Sequence, residues 1–171
     1  ATSPLSKAID KFEDAYPGRP YFIDVDTYYQ PGDNNNEAKE TWAQLASHPA
    51  NVAVWHELLL PYPNANPCLL MAGSTLESAR AQIAWARENH RTFCLRMNMA
   101  GPKIPTWMPT LVEELSAEGA VDYAVVFDFG LVDNALVIAQ RADDDIKRFF
   151  AGIPAEIPIA VCCTTFPSDF T

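Results

Sequence analysis

The sequence predicts an α/β protein built of alternating β/α units with a parallel sheet. Three observations carry that prediction. Five short apolar segments are each separated from the next by a stretch of helical character. Most of them are continuously apolar rather than alternating, the mark of strands covered on both faces. Strands interleaved with helices make crossover connections, which parallel pairing requires.

Taken in order, Ser3-Pro4 reads as an N-cap followed by proline at the first helical position. Leu5, Ile9 and Phe12 then fall on one helical face, and Pro17-Gly18 ends the helix. Residues 21–26, rich in aromatic and β-branched side chains, form the first predicted strand. A polar loop from Tyr28 to Asn36 leads to a helix over Glu37–Ser47, and a second apolar piece follows over Val52–Leu60. Pro61, Pro63 and Pro67 make a stiff, extended connection. Cys68–Ala72 is the second predicted strand. Ser74-Thr75-Leu76-Glu77 is a capping-box pattern, and the helix it opens carries Leu76, Ala79, Ile83 and Ala86 on one stripe. The third strand is Thr92–Asn98. Thr106 is placed to cap a helix bearing Trp107, Leu111 and Leu115, which Gly119 ends. Ala124–Phe129 is the fourth strand. A helix starting at Asp133 or Asn134, with Leu136, Ala139, Ile146 and Phe150 inward, leads to the fifth over Ile157–Cys163. Two closures fit this series: an open doubly wound sheet, or part of a TIM-like (β/α) barrel.

Composition bounds the function. A chain of 171 residues with 49% hydrophobic content suits one α/β domain over 1–171 and is too apolar for disorder. Only Thr164–Thr171 follow the last strand, so an incomplete barrel or a piece of a longer protein is expected. The net charge of −10 disfavours direct binding to nucleic acid or to anionic membranes. Apolar runs fall short of the roughly 20 residues of a membrane span. Cys68, Cys94, Cys162 and Cys163 sit in apolar runs without a metal-ligand spacing, so they read as reduced and buried. With no secretory pattern at the N-terminus, that makes the expected location cytoplasmic. GxGxxG and GxxxxGK[ST] patterns are absent, and no cofactor is assigned. The run Asp143-Asp144-Asp145 reads as a solvated helix face.

Parallel α/β folds bind ligands at the C-terminal ends of their strands. The polar residues there are Asp24, Asp26, Arg96, Asn98 and Asp128, with Thr164 and Thr165. Period-two alternation groups Phe22, Asp24 and Asp26 on one face. It likewise groups Cys94, Arg96 and Asn98, then Ala124, Val126 and Asp128. If those faces point the same way, Asp24, Arg96 and Asp128 converge. As a site, the carboxylates suit a divalent cation and Arg96 a phosphate or carboxylate. As structure, the same residues form a buried, mutually paired ion network. Residue chemistry leaves open which of these holds and whether the protein is an enzyme.

The segments "GRPYFIDVDT" (18–27), "TFCLRMN" (92–98), "VDYAVVFDFG" (121–130) and "IPIAVCCTTFP" (157–167) have a familiar order. Arg19-Pro20 precedes a strand reaching Asp24, Arg96 is central to its strand, Asp128 precedes Gly130, and Thr165-Phe166-Pro167 closes the series. In this the chain resembles the beta-protein family of phages and bacteria. The resemblance spans nearly the whole chain, through motifs that are each short. It implies the central portion of a longer, barrel-like, intracellular phage or bacterial protein acting in phage–host conflict, and it assigns no catalytic residue. Two functions stand beside each other: binding of a small anionic or phosphorylated ligand at the strand-end cluster, or a non-enzymatic interaction with a basic host protein.

Overall fold

Alternation of helix and strand is what the chain shows. A computed structural model describes residues 4–25, 36–46, 51–99, 104–131, 140, 143–144, 147 and 153–164. The elements are α1 (Pro4–Ala15), β1 (Tyr21–Ile23), α2 (Asn36–Ala46), α3 (Asn51–Leu59), β2 (Ala65–Pro67), α4 (Leu76–Glu88), β3 (Phe93–Asn98), α5 (Met108–Ala117), β4 (Tyr123–Leu131) and β5 (Ile159–Thr164). β1 pairs with β2 and β4 with β5, both in parallel. The sheets have orders β1-β2 and β3-β4-β5, and no closed barrel forms among the described residues. The mixed α/β class with parallel pairing is therefore present, in two small sheets.

The chain divides into two compact units, residues 1–93 and 94–171. In the first, the predicted stripe of α1 sets Ile9 into a core with Leu45, Trp55, Leu59, Tyr62, Ala65 and Leu70. Leu5, Tyr21, Ile23 and Val25 pack against that core from α1 and β1. Tyr62 anchors α1 by donating its hydroxyl to Asp10 Oδ1 at 2.9 Å. In the second unit, Met108, Leu111, Val112 and Leu115 form the buried face of α5. Tyr123, Val125, Phe127 and Phe129 are buried along β4, while Val126, Asp128 and Gly130 are half-buried. That alternation separates a core face from a face carrying polar groups.

Several local expectations are corrected. The second strand lies at Ala65–Pro67 instead of Cys68–Ala72. Its bonds to β1 run from Tyr21 N–H to Asn64 O and from Cys68 N–H to Ile23 O. Alternate residues serve a given neighbour, so the missing N–H of Pro67 falls on the side away from β1. Leu69 and Leu70 are apolar because they are buried, and a side chain replaces a strand partner. Gln82 Oε1 accepts from Leu70 N–H at 2.8 Å, and Gln82 Nε2 donates to Leu70 O at 3.3 Å. The cap of α4 is Thr75, which accepts from Ser78 N–H at 3.2 Å, rather than Ser74. Trp107, not Thr106, holds the N-cap position of α5, and no side chain caps it. The first strand stops at Ile23, three residues before Asp26.

Cys68 and Cys94 are buried free thiols, as expected, but Cys162 is exposed. Burial was inferred from its apolar neighbours, and those neighbours are themselves open: Ile159 is 42% and Val161 48% exposed. β5 lies at the end of its sheet order. The Cys163 side chain, the predicted start of the helix at Asp133 or Asn134, and Thr165 lie outside the described residues. Gln140, Asp143, Asp144 and Lys147 are helical and exposed, and Lys147 donates to Asp143 one turn earlier. No helix among the described residues is long and apolar enough to cross a membrane.

Candidate functional site

The polar cluster of the second unit is assembled by neighbouring strands. β3 delivers Arg96 from the middle of an otherwise apolar run, and β4 delivers Asp128. Their backbones are tied where Met99 N–H donates to Asp128 O at 2.7 Å. Arg96 Nε then donates to Asp128 Oδ2 at 3.1 Å, and Arg96 Nη2 donates to the same oxygen. The side chains are 35% and 19% exposed, so the pair sits at the surface of the sheet and is not sealed beneath it. Asn98, two residues along β3, is half-buried on the same alternation as Arg96.

A bulge fixes the carboxylate from its other side. The β4–β5 register advances three residues from Asp128 to Leu131 while β5 advances two, from Cys162 to Thr164. The extra residue is accommodated at Gly130, whose φ of 61° lies in the left-handed region that glycine enters without a Cβ clash. Gly130 N–H turns back to donate to Asp128 Oδ1 at 2.8 Å. Burial by itself would raise the Asp128 carboxyl. Hydrogen bonds from Arg96 and Gly130, with the positive charge of Arg96, outweigh it and hold the group below its usual range.

Of the three residues predicted to converge, Arg96 and Asp128 pair within the second unit. Asp24 belongs to the first unit, where its Oδ1 accepts from the N–H of Val25 at 2.8 Å. Asp26 lies outside the described residues. Among the described residues, no group of three His, Cys, Asp or Glu side chains stands in an arrangement that would hold a metal ion. What the Arg96–Asp128 pair can do chemically is present an oriented, half-exposed guanidinium to an anion.

The first unit holds polar features that sequence reasoning passed over. Arg91 is 6% exposed. Its Nη1 donates to the carbonyls of Tyr62 at 2.8 Å and Ala65, and its Nη2 to those of Leu59 at 2.8 Å and Leu60 at 3.4 Å. Its guanidinium carbon lies 5.3 Å from the Trp85 ring centroid. His56 stacks on the same Trp85 ring, 4.0 Å between centroids and 4° from parallel. Burial pushes His56 down from 6.5 to about 4. The available signal for Arg91 was its position at the foot of an apolar strand, immediately after the stop of α4. Gln82 was omitted from the α4 stripe because it is polar, although its spacing from Ala79 and Ala86 places it there.

Comparison with models of known families, with curated proteins and with solved structures finds no match.

Proposed function

We propose that the chain is a small-anion-binding protein whose recognition group is Arg96. The observation that carries this reading is the pairing of a 35%-exposed guanidinium with a carboxylate fixed at both oxygens. The two side chains are 35% and 19% exposed, so the guanidinium reaches solvent and is not sealed in the interior. Asn98, on the same alternation as Arg96, is the last residue of β3, where α/β folds bind ligands. The family resemblance supports an intracellular phage or bacterial setting, and within the second unit the candidate ligand set is Arg96, Asn98 and Asp128.

Sodium acetate and methyl phosphate serve as probes. A ligand that binds only the folded state raises its stability by mass action. At least one of the two should raise the melting temperature of the wild-type chain above a chloride control, and Arg96→Ala should lose that increment. An equal increment in both proteins would remove Arg96 from the site.

A second reading, a non-enzymatic interaction with a basic host protein, is favoured by a different observation. Phe12, Tyr16 and Phe22 are 41%, 49% and 44% exposed, and aromatic side chains are enriched in protein interfaces. The net charge of −10 would favour a basic partner. Loss of binding to such a partner in Phe12→Ser with Tyr16→Ser, but not in Arg96→Ala, would select this reading.

A further inference from the structure

The solvent side of α1 carries an aromatic patch with a charged border. Phe12 and Tyr16, one helical turn apart, are 41% and 49% exposed, with ring centroids 5.1 Å apart. Tyr21 of β1 meets Phe12 edge-on, with centroids 4.6 Å apart. Phe22 alternates to the opposite face of β1. Two carboxylates of α1 border these rings, each held by a tyrosine hydroxyl. Tyr21 donates to Glu13 Oε1 at 3.1 Å, and Tyr62 donates to Asp10 Oδ1 at 2.9 Å. A carboxylate accepts at both oxygens, so each is oriented and keeps accepting capacity.

The charges on this side are unbalanced toward the negative. Asp10 and Glu13 are three positions apart, neighbours of like charge on the helix surface. The last turn of α1, where helix carbonyls collect negative potential, has no basic residue. The helical period puts Lys7 and Lys11 on the side opposite Ile9. Arg91 is within electrostatic reach of Glu13, but it is 6% exposed and donates to backbone carbonyls. A cation arriving from solvent therefore finds ring faces and two oriented carboxylates together.

A guanidinium suits that combination, because it stacks flat on an aromatic ring while its N–H fork reaches a carboxylate. An ammonium brings only a point charge. Resting on the second reading above, we infer that the patch of Phe12, Tyr16 and Tyr21, bordered by Glu13 and Asp10, docks an arginine side chain of the basic partner. The net charge of −10 draws a basic chain to the surface, and this patch selects where it seats and which cation it presents.

The probes are acetyl-pentaarginine amide and acetyl-pentalysine amide, titrated separately into the intact chain at about 0.15 M salt, where the screening length is about 8 Å. Ring resonances of Phe12, Tyr16 and Tyr21 are followed by NMR. The arginine peptide should shift them saturably and bind about fivefold or more tightly than the lysine peptide of equal charge. Phe12→Ser with Tyr16→Ser should erase that preference. Glu13→Gln keeps an oxygen for the Tyr21 hydroxyl and should weaken the arginine peptide about threefold or more. Asp143→Asn with Asp144→Asn removes two exposed charges elsewhere and should change its affinity less than about twofold. Equal affinities for the two peptides on the wild-type chain, unmoved by Glu13→Gln, would overturn the arginine site and leave attraction to a basic partner standing. No saturable binding of either peptide would overturn both.

Discussion

Two arginines five positions apart solve opposite problems. Arg91 lies in the first unit, buried, with its charge spread over four backbone carbonyls. Arg96 lies in the second, half-exposed, with its charge set against a carboxylate. The carbonyls that Arg91 bonds belong to Leu59, Leu60, Tyr62 and Ala65, the segment that turns α3 into β2. That segment contains Pro61 and Pro63, which offer no N–H, and it closes no regular ladder of its own. The guanidinium adds a further donor to the Leu59 and Tyr62 carbonyls, which also accept from the N–H groups of Tyr62 and Ala65, and it meets those of Leu60 and Ala65. The contrast teaches that depth and partner type, more than residue type, separate a structural cation from a candidate binding group. A cation satisfied by carbonyls in the interior holds the chain in place. A cation set beside a carboxylate at the surface is within reach of solutes.

The largest expected effect falls on the buried arginine. Arg91→Ala strips the donor from buried carbonyls and should lower unfolding free energy by roughly 3 kcal/mol or more, read from urea denaturation. A loss under about 1 kcal/mol would mean that water replaces the guanidinium, and the comparison would fail. Next comes Gln82→Leu, which keeps side-chain bulk but leaves the N–H and C=O of Leu70 unmet. It should cost about 2 kcal/mol in the same assay.

A smaller, pH-dependent effect comes from His56. Its folded value of about 4 lies below the ordinary 6.5. The unfolded chain therefore binds the proton more readily between those values. The stabilisation is present above pH about 6.5 and is lost as pH falls through the window toward 4. Denaturation midpoints should decline across that window in the wild type and decline less in His56→Phe, which retains a ring against Trp85. An equal decline in both would assign the effect to other groups. The smallest effect on folding should come from Arg96→Ala, about 1 kcal/mol, because the pair is partly exposed. A loss of 3–5 kcal/mol, the cost of breaking a sealed pair, would instead mark Arg96 as structural like Arg91.

Much of this layout was legible in the sequence. The stripe of α1, the α4 pattern with its cap displaced by one residue, and the cores of β3 and β4 follow from periodicity, which burial enforces locally. The Arg96–Asp128 pair was legible because polar residues inside apolar strands are rare and alternation assigns them a face. The displaced second strand was not, since Cys68–Leu70 and a strand have the same composition and only Gln82, twelve residues beyond Leu70, distinguishes them. Arg91 was hidden for the same reason: its acceptors lie 26 to 32 residues earlier and are backbone atoms, which leave no mark in the sequence. The exposure of Cys162 was not legible because Ile159 and Val161, exposed beside it, have the composition of a covered strand.

The central claim, that Arg91 is structural and Arg96 is a binding group, is tested most directly by hydrogen exchange of the guanidinium protons of both residues in one NMR sample of the wild-type chain. Arg91 should exchange slowly, with a rate indifferent to added acetate. Arg96 should exchange faster, and acetate should slow it. Slow exchange at Arg96, equal to that of Arg91 and unmoved by acetate, would show a sealed structural pair and contradict the account.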